Sequence, residues 1–242
     1  MIPPFRSYAA TDTGRVRKHN EDAFADCAEL GLWAVADGAG GHAAGEVASA
    51  MLVDALKTLP RDLPPEDALV QMRTRVIDVH HALREEAERV GADAMASTIA
   101  ILLVHGDEFV ALWAGDSRIY VLREGVLRQI TRDHSFVQGL VDAGVLTEAQ
   151  AERHPQSNVI TRAIGAPEDS GELDRVTGTV QAGDRFLLCS DGVNKVLDAR
   201  GITQALMGNH ANPAQTMIQL AMQSGSRDNV TAIVVDIVGV PG

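Results

Sequence analysis

Cysteine is nearly absent from this sequence. Cys27 and Cys189 are the only two, far apart and in no C-x-x-C pair, so there is no disulfide framework and the expectation is two free thiols in a reducing compartment. Aromatic residues make up 4%, so a core has to be built from Val, Leu, Ile and Ala. Long apolar runs are missing too. A stretch such as "TIAILLV" (98–104) is far too short to cross a bilayer. The opening MIPPFRSYAATD lacks the basic and then apolar order of a signal peptide. Positive charge is in deficit, with 21 Lys and Arg against 33 Asp and Glu, and a net charge of -12 repels nucleic acid and anionic membranes. Together these absences predict a cytoplasmic protein with no nucleic-acid partner and no membrane insertion.

What remains is ordinary globular composition, 45% hydrophobic and 22% charged over 242 residues. No repeat, low-complexity tract or Gly/Ser linker interrupts it, so one domain over 1–242 is expected. Two helical periodicities follow one another, over 43–59 and over 65–90, the second opening on Pro-Pro-Glu-Asp and stopping at Gly91. Short apolar runs at 32–36, 99–104, 109–114, 119–122, 186–189 and 230–238 read as strands. The breaks "HGDE", "AGDSR" and "REG" between them look like hairpins. Residues 132–162 depart from this pattern, with short helices expected over 135–143 and 147–153, and a further helix over 213–222. This order is not the regular alternation of a parallel fold, and it suggests antiparallel sheets covered by helices, the α+β class.

Aspartates recur where these strands end. Asp37 follows "LWAVA" and is itself followed by glycine; Asp191 follows "FLLCS" in the same way. Asp116 follows "FVALWAG", Asp228 precedes the last strand, and Asp22 stands ahead of a candidate edge strand. Each alone reads as a cap or turn residue. Recurrence carries more weight. If the strand ends share one rim, the carboxylates converge, repel one another and call for a hard cation such as Mg²⁺ or Mn²⁺. Bare backbone at Gly38 would let a carbonyl approach the metal and leave room for phosphate. Gly38, Gly40 and Ala43 also fit G-x-G-x-x-A. That dinucleotide reading fails because Asp37 would face the pyrophosphate and the next helix leads into a second helix, closing no βαβ unit.

Seven segments identify a family: "GRVRKHNEDA" (14–23), "VADGAGGHAAGE" (35–46), "AGDSRIYVLREG" (114–125), "ITRDHS" (130–135), "HPQSNVITRAIG" (154–165), "LLCSDGV" (187–193) and "SRDNVTAIVV" (226–235). In this order they resemble the metal-dependent serine/threonine protein phosphatases of the 2C type, in compact bacterial form, over almost the whole chain. The resemblance implies a four-layer αββα sandwich of two antiparallel sheets flanked by helices. It implies two Mn²⁺ or Mg²⁺ ions, with Asp37 bridging both, the Gly38 carbonyl and Asp22 serving one, and Asp191 and Asp228 completing the other. Glu21 would hold metal-bound water, Asp116 would share a third, weaker ion with Asp191, and Arg17 would grip the phosphate. The implied partners are phosphorylated proteins, among them a cognate serine/threonine kinase and its substrates. The histidine that animal and plant members carry is replaced by Ala39 here. His42, three residues on, reads equally as a substrate contact, a proton donor through water or a helix-start residue. A flap over about 133–165 is expected to set substrate choice. Two other functions stay open: hydrolysis of a small phosphomonoester, and a non-enzymatic phosphoprotein-binding module.

Overall fold

The computed structural model describes residues 5–40, 44–60 and 63–239. In chain order these form β1 (Phe5–Asp12), β2 (Asp22–Cys27), β3 (Leu32–Ala39), α1 (Ala44–Lys57), α2 (Pro65–Val90), β4 (Ala96–Ser97), β5 (Ile99–His105) and β6 (Glu108–Ala114). There follow β7 (Arg118–Arg123), β8 (Val126–Gln129), α3 (Phe136–Asp142), α4 (Glu148–Ala151), β9 (Asp174–Thr179), β10 (Arg185–Cys189), α5 (Asp191–Asn194), α6 (Ala199–Met207), α7 (Pro213–Gln223) and β11 (Val230–Ile237). One sheet has the order β1-β11-β10-β7-β8, the other β2-β3-β5-β6-β9, with β4 pairing on the end of β3. Every pairing is antiparallel.

The central strands read as unbroken apolar runs because both of their faces are buried. Trp33 and Val35 of β3, Leu102 of β5, Phe186 and Leu188 of β10, and Ile233 and Val235 of β11 meet between the sheets. The alternate residues face outward onto helices. Leu32, Ala34, Ile99, Ile101 and Leu112 pack with Leu52, Leu56, Met72 and Leu83 of α1 and α2. Leu187, Val230, Ala232 and Val234 pack with Ile202, Leu206, Met217 and Ile218 of α6 and α7. Side-chain period two across two stacked sheets thus yields three cores and the expected αββα layering.

The expected helix over 65–90 forms to its limits, with Gly91 as a left-handed cap accepting the chain's turn outward. Ser135 and Thr147 cap α3 and α4 through their side chains and so stand just outside them, and both helices also end earlier than expected, at Asp142 and Ala151. One expected hairpin is wrong. "HGDE" and "REG" do join paired strands, β5 to β6 and β7 to β8. "AGDSR" instead carries the chain from β6 in one sheet to β7 in the other, so Asp116 sits on a crossover and not on a hairpin tip.

Candidate metal centre

Antiparallel pairing brings the recurrent aspartates to one pole. Asp22 opens β2 directly opposite Asp37 near the end of β3. The start of β5 lies beside the end of β6, which leads to Asp116. In the other sheet the end of β10, leading to Asp191, lies beside the starts of β7 and β11, the latter just after Asp228. A carboxylate placed at the end of one strand and the beginning of its neighbour necessarily shares a rim.

Hydrogen bonds hold each group in place. The Asp37 amide donates to Thr98 Oγ1 (3.1 Å), its carbonyl accepts from the Thr98 amide (2.9 Å) and Ser97 Oγ (3.0 Å), and Thr98 Oγ1 pairs with Ser117 Oγ (2.8 Å). Ser190 Oγ reaches between the sheets to donate to Asp22 Oδ2 (2.8 Å) while accepting from the Thr231 amide (3.0 Å). Arg17 donates to Asp228 Oδ2 at 2.8 Å, with its side chain half exposed. The Arg17 loop is tied down by buried Asn229, whose Oδ1 accepts from the Glu21 amide (2.9 Å) and whose Nδ2 donates to the carbonyls of Thr13 (2.8 Å) and His19 (3.0 Å). Lys195 donates to Asp191 and lies 3.7 Å from Asp116 Oδ2.

The electrostatics are those of crowded acid groups. Burial, above all, pushes the Asp37 carboxyl well above the ordinary carboxylate range, and Asp22, Asp191, Asp116 and Asp228 push it further. Burial likewise raises Asp22 to about 7, against the hydrogen bonds of Thr231 and Ser190, and raises Asp116 to about 6, with Asp191 adding to it and Lys195 opposing it. Glu21 is raised by burial first, countered by Arg17. Such groups resist ionisation unless positive charge is brought among them.

Among the described residues, no three His, Cys, Asp or Glu side chains form a ready-made metal site. Two protein cations pair with these acids: Arg17 with Asp228, and Lys195 with Asp191 and Asp116. Even so, the donor set fits divalent cations. Asp22 Oδ1 is buried with no hydrogen-bond partner, an arrangement that is costly unless a cation meets that oxygen.

The bare backbone at Gly38 also serves the packing of α1. A Cβ there would stand 2.1 Å from the Gly45 carbonyl oxygen and 2.7 Å from that of Glu21. The glycine therefore lets α1 close onto β3. His42 lies outside the described residues.

Sequence reasoning missed Thr98, Ser190, Lys195 and Asn229. Ser190, Asn229 and Thr98 adjoin or occupy recognised segments, but their roles depend on partners far along the chain, up to 216 residues away for Asn229 and Thr13. His134, given no role above, anchors the flap. It stacks on Trp113, accepts from the Gly115 amide through Nδ1 (3.1 Å), and faces Asp174 through Nε2 (3.2 Å). His80 is a buried structural residue that accepts from the Gly165 amide at the flap's other end (3.0 Å).

Two helix-covered antiparallel sheets with acidic side chains gathered at one pole define an αββα sandwich built around oxygen donors. The chain belongs to the protein phosphatase 2C family, whose sequence profile matches residues 13–229. It is 40% identical over 235 residues to the serine/threonine protein phosphatase PstP of Mycobacterium tuberculosis, covering 96% of this chain and 45% of that one. The chain thus spans about half the length of that relative. The solved catalytic domain of PstP in complex with two manganese ions is 39% identical, with a TM-score of 0.87 over 97% of this chain and 99% of that one. PppA, a key regulatory component of T6SS in Pseudomonas aeruginosa, is 41% identical, with a TM-score of 0.88 over 96% and 97%.

Proposed function

We propose that residues 1–242 form one phosphatase domain that hydrolyses phosphoserine and phosphothreonine in proteins, using two divalent cations, Mn²⁺ or Mg²⁺. The observation that carries this reading is the gathering of Asp22, Asp37, Asp116, Asp191 and Asp228 at one pole, with a buried Asp22 oxygen left unpartnered. Asp37, Asp22, Asp191, Asp228 and the Gly38 carbonyl would hold the cations, and Glu21 would hold water beside them. When bound, such cations supply an activated water and neutralise charge on the transferring phosphoryl group.

The chain's own residues do the rest. Ser190 and Thr98 hold Asp22 and Asp37 in register, so that little reorganisation is needed as charge moves to the phosphoryl oxygens. Arg17, half exposed beside Asp228, has the planar fork that matches phosphate oxygens, which the point charge of lysine does not. Water attacks phosphorus opposite the seryl or threonyl oxygen, that P–O bond breaks, the departing oxygen takes up a proton in exchange for the one the water gives up, and inorganic phosphate leaves with no side chain phosphorylated on the way. Uncatalysed phosphomonoester hydrolysis is slow enough that positioning and charge neutralisation must supply on the order of 20 kcal/mol.

The natural partners in this reading are phosphorylated proteins in the cytoplasm, including a serine/threonine kinase that the chain opposes. Among the described residues no helix is long and apolar enough to cross a membrane. The flap, pinned at His134 and His80, is the segment that would meet the protein around the phosphoresidue. Comparing kcat/KM on phosphoserine and phosphothreonine peptides with that on small phosphomonoesters tests this. A clear preference for the peptides is expected; a preference for the small esters would move the function to that class.

A further inference from the structure

Asp116 and Asp191 are the two residues expected to share a third, weaker ion, and the space between them is taken. Lys195 follows Asp191 by four residues, across the short α5 and at its C-terminal cap. This spacing sets its ammonium against the Asp191 carboxylate. The same Nζ lies 3.7 Å from Asp116 Oδ2, and the Lys195 side chain is two-thirds buried, at 33% exposure. Asp116 itself is buried on the β6–β7 crossover, so it needs positive charge close by, and Lys195 is the side chain that brings it.

We propose that Lys195 is a built-in counter-ion that takes the place of a third divalent cation at Asp116 and Asp191, so that this chain works with two. The inference rests on the two-cation reading above. A tethered ammonium is present at a fixed, high local concentration and gives up no translational freedom on binding. A divalent ion entering between the same oxygens would meet it at contact distance and have to expel it. Lys195 is also a positioning residue. Because Asp191 belongs to both the two-cation set and the Lys195 pair, the ammonium fixes which way that carboxylate turns.

Equilibrium dialysis against Mn²⁺, with bound metal counted by atomic absorption, decides the matter. Wild type is expected to saturate at two ions per chain. Lys195→Ala and Lys195→Gln should each take up a third, weaker ion, and Lys195→Ala combined with Asp116→Ala should return to two. Circular dichroism identifies any variant that has not folded, and the wild-type count stands without the variants. Three ions on wild type, the third lost in Asp116→Ala, would overturn the assignment and leave the two-cation reading intact. So would a count that stays at two in folded Lys195 variants. No bound Mn²⁺ on wild type would overturn both.

Discussion

Replacing Asn229 by alanine isolates the device that holds the Arg17 loop. Its side chain makes three hydrogen bonds to backbone groups of Thr13, His19 and Glu21, at 2.8, 3.0 and 2.9 Å. Each is worth about 0.5–1.5 kcal/mol net, so the three together come to about 3 kcal/mol. The loop is largely exposed, and water will satisfy part of what is lost, leaving a cost of about 2–3 kcal/mol. For a chain of this length that is a fall of about 4–12 °C in Tm. Function should suffer more than stability. Arg17 rides on the released segment, so kcat/KM on a phosphopeptide should drop about tenfold or more even where the variant is fully folded. Urea unfolding gives the stability change from the shift in midpoint at constant slope. Steady-state kinetics at a temperature well below the transition give the second. A midpoint within error of wild type together with unchanged kcat/KM would refute the claim that Asn229 positions the phosphate-binding loop.

Three other outcomes are expected. Arg17→Lys should lower kcat/KM about 10–100-fold with little change in stability, since a forked charge-assisted contact is exchanged for a point charge; equal kinetics would remove Arg17 from phosphate binding. Gly38→Ala should cost about 3 kcal/mol or more, or prevent folding, because the new methyl would meet the Gly45 carbonyl at 2.1 Å and backbone cannot step aside; a thermal melt unchanged from wild type would contradict this contact. In EDTA, the stability of wild type relative to Asp22→Asn should fall as pH rises from about 4 to about 7. Asp22 binds its proton more tightly folded (about 7) than unfolded, so the folded state is favoured while the proton stays on and loses that advantage as it leaves. Urea midpoints for the two proteins that run parallel across this range would remove the burial argument.

The parts of the fold that could be read in advance are those where local pattern and burial coincide. The doubly buried strands β3, β5, β6, β10 and β11 are continuous apolar runs, and α2 is bounded by Pro and Gly signals. Edge strands escaped. β9, "DRVTGT", is exposed along nearly all its length and carries no apolar alternation, because it is held by backbone pairing to β6. β1 is partly exposed in the same way and depends on its full register with β11. The short helix α6 was missed although Asp198 caps it by accepting from the Gly201 amide. Whether "AGDSR" turns back or crosses over depends on which sheet the next strand joins, and nothing local records that. The site shows the same division. Asp22, Asp37, Asp116, Asp191 and Asp228 announce themselves by position at strand ends. Ser190, Asn229 and Lys195 gain their roles only from what folding places beside them.

The most direct test of the account is hydrolysis of p-nitrophenyl phosphate by the purified chain with Mn²⁺, with Mg²⁺, with EDTA, and by Asp37→Asn under the same conditions. The account predicts activity that requires the added cation, disappears in EDTA and collapses in the variant while its fold persists by circular dichroism. Activity that survives EDTA, or an Asp37→Asn variant as fast as wild type, would contradict the claim that Asp37 stands at the centre of a two-cation site.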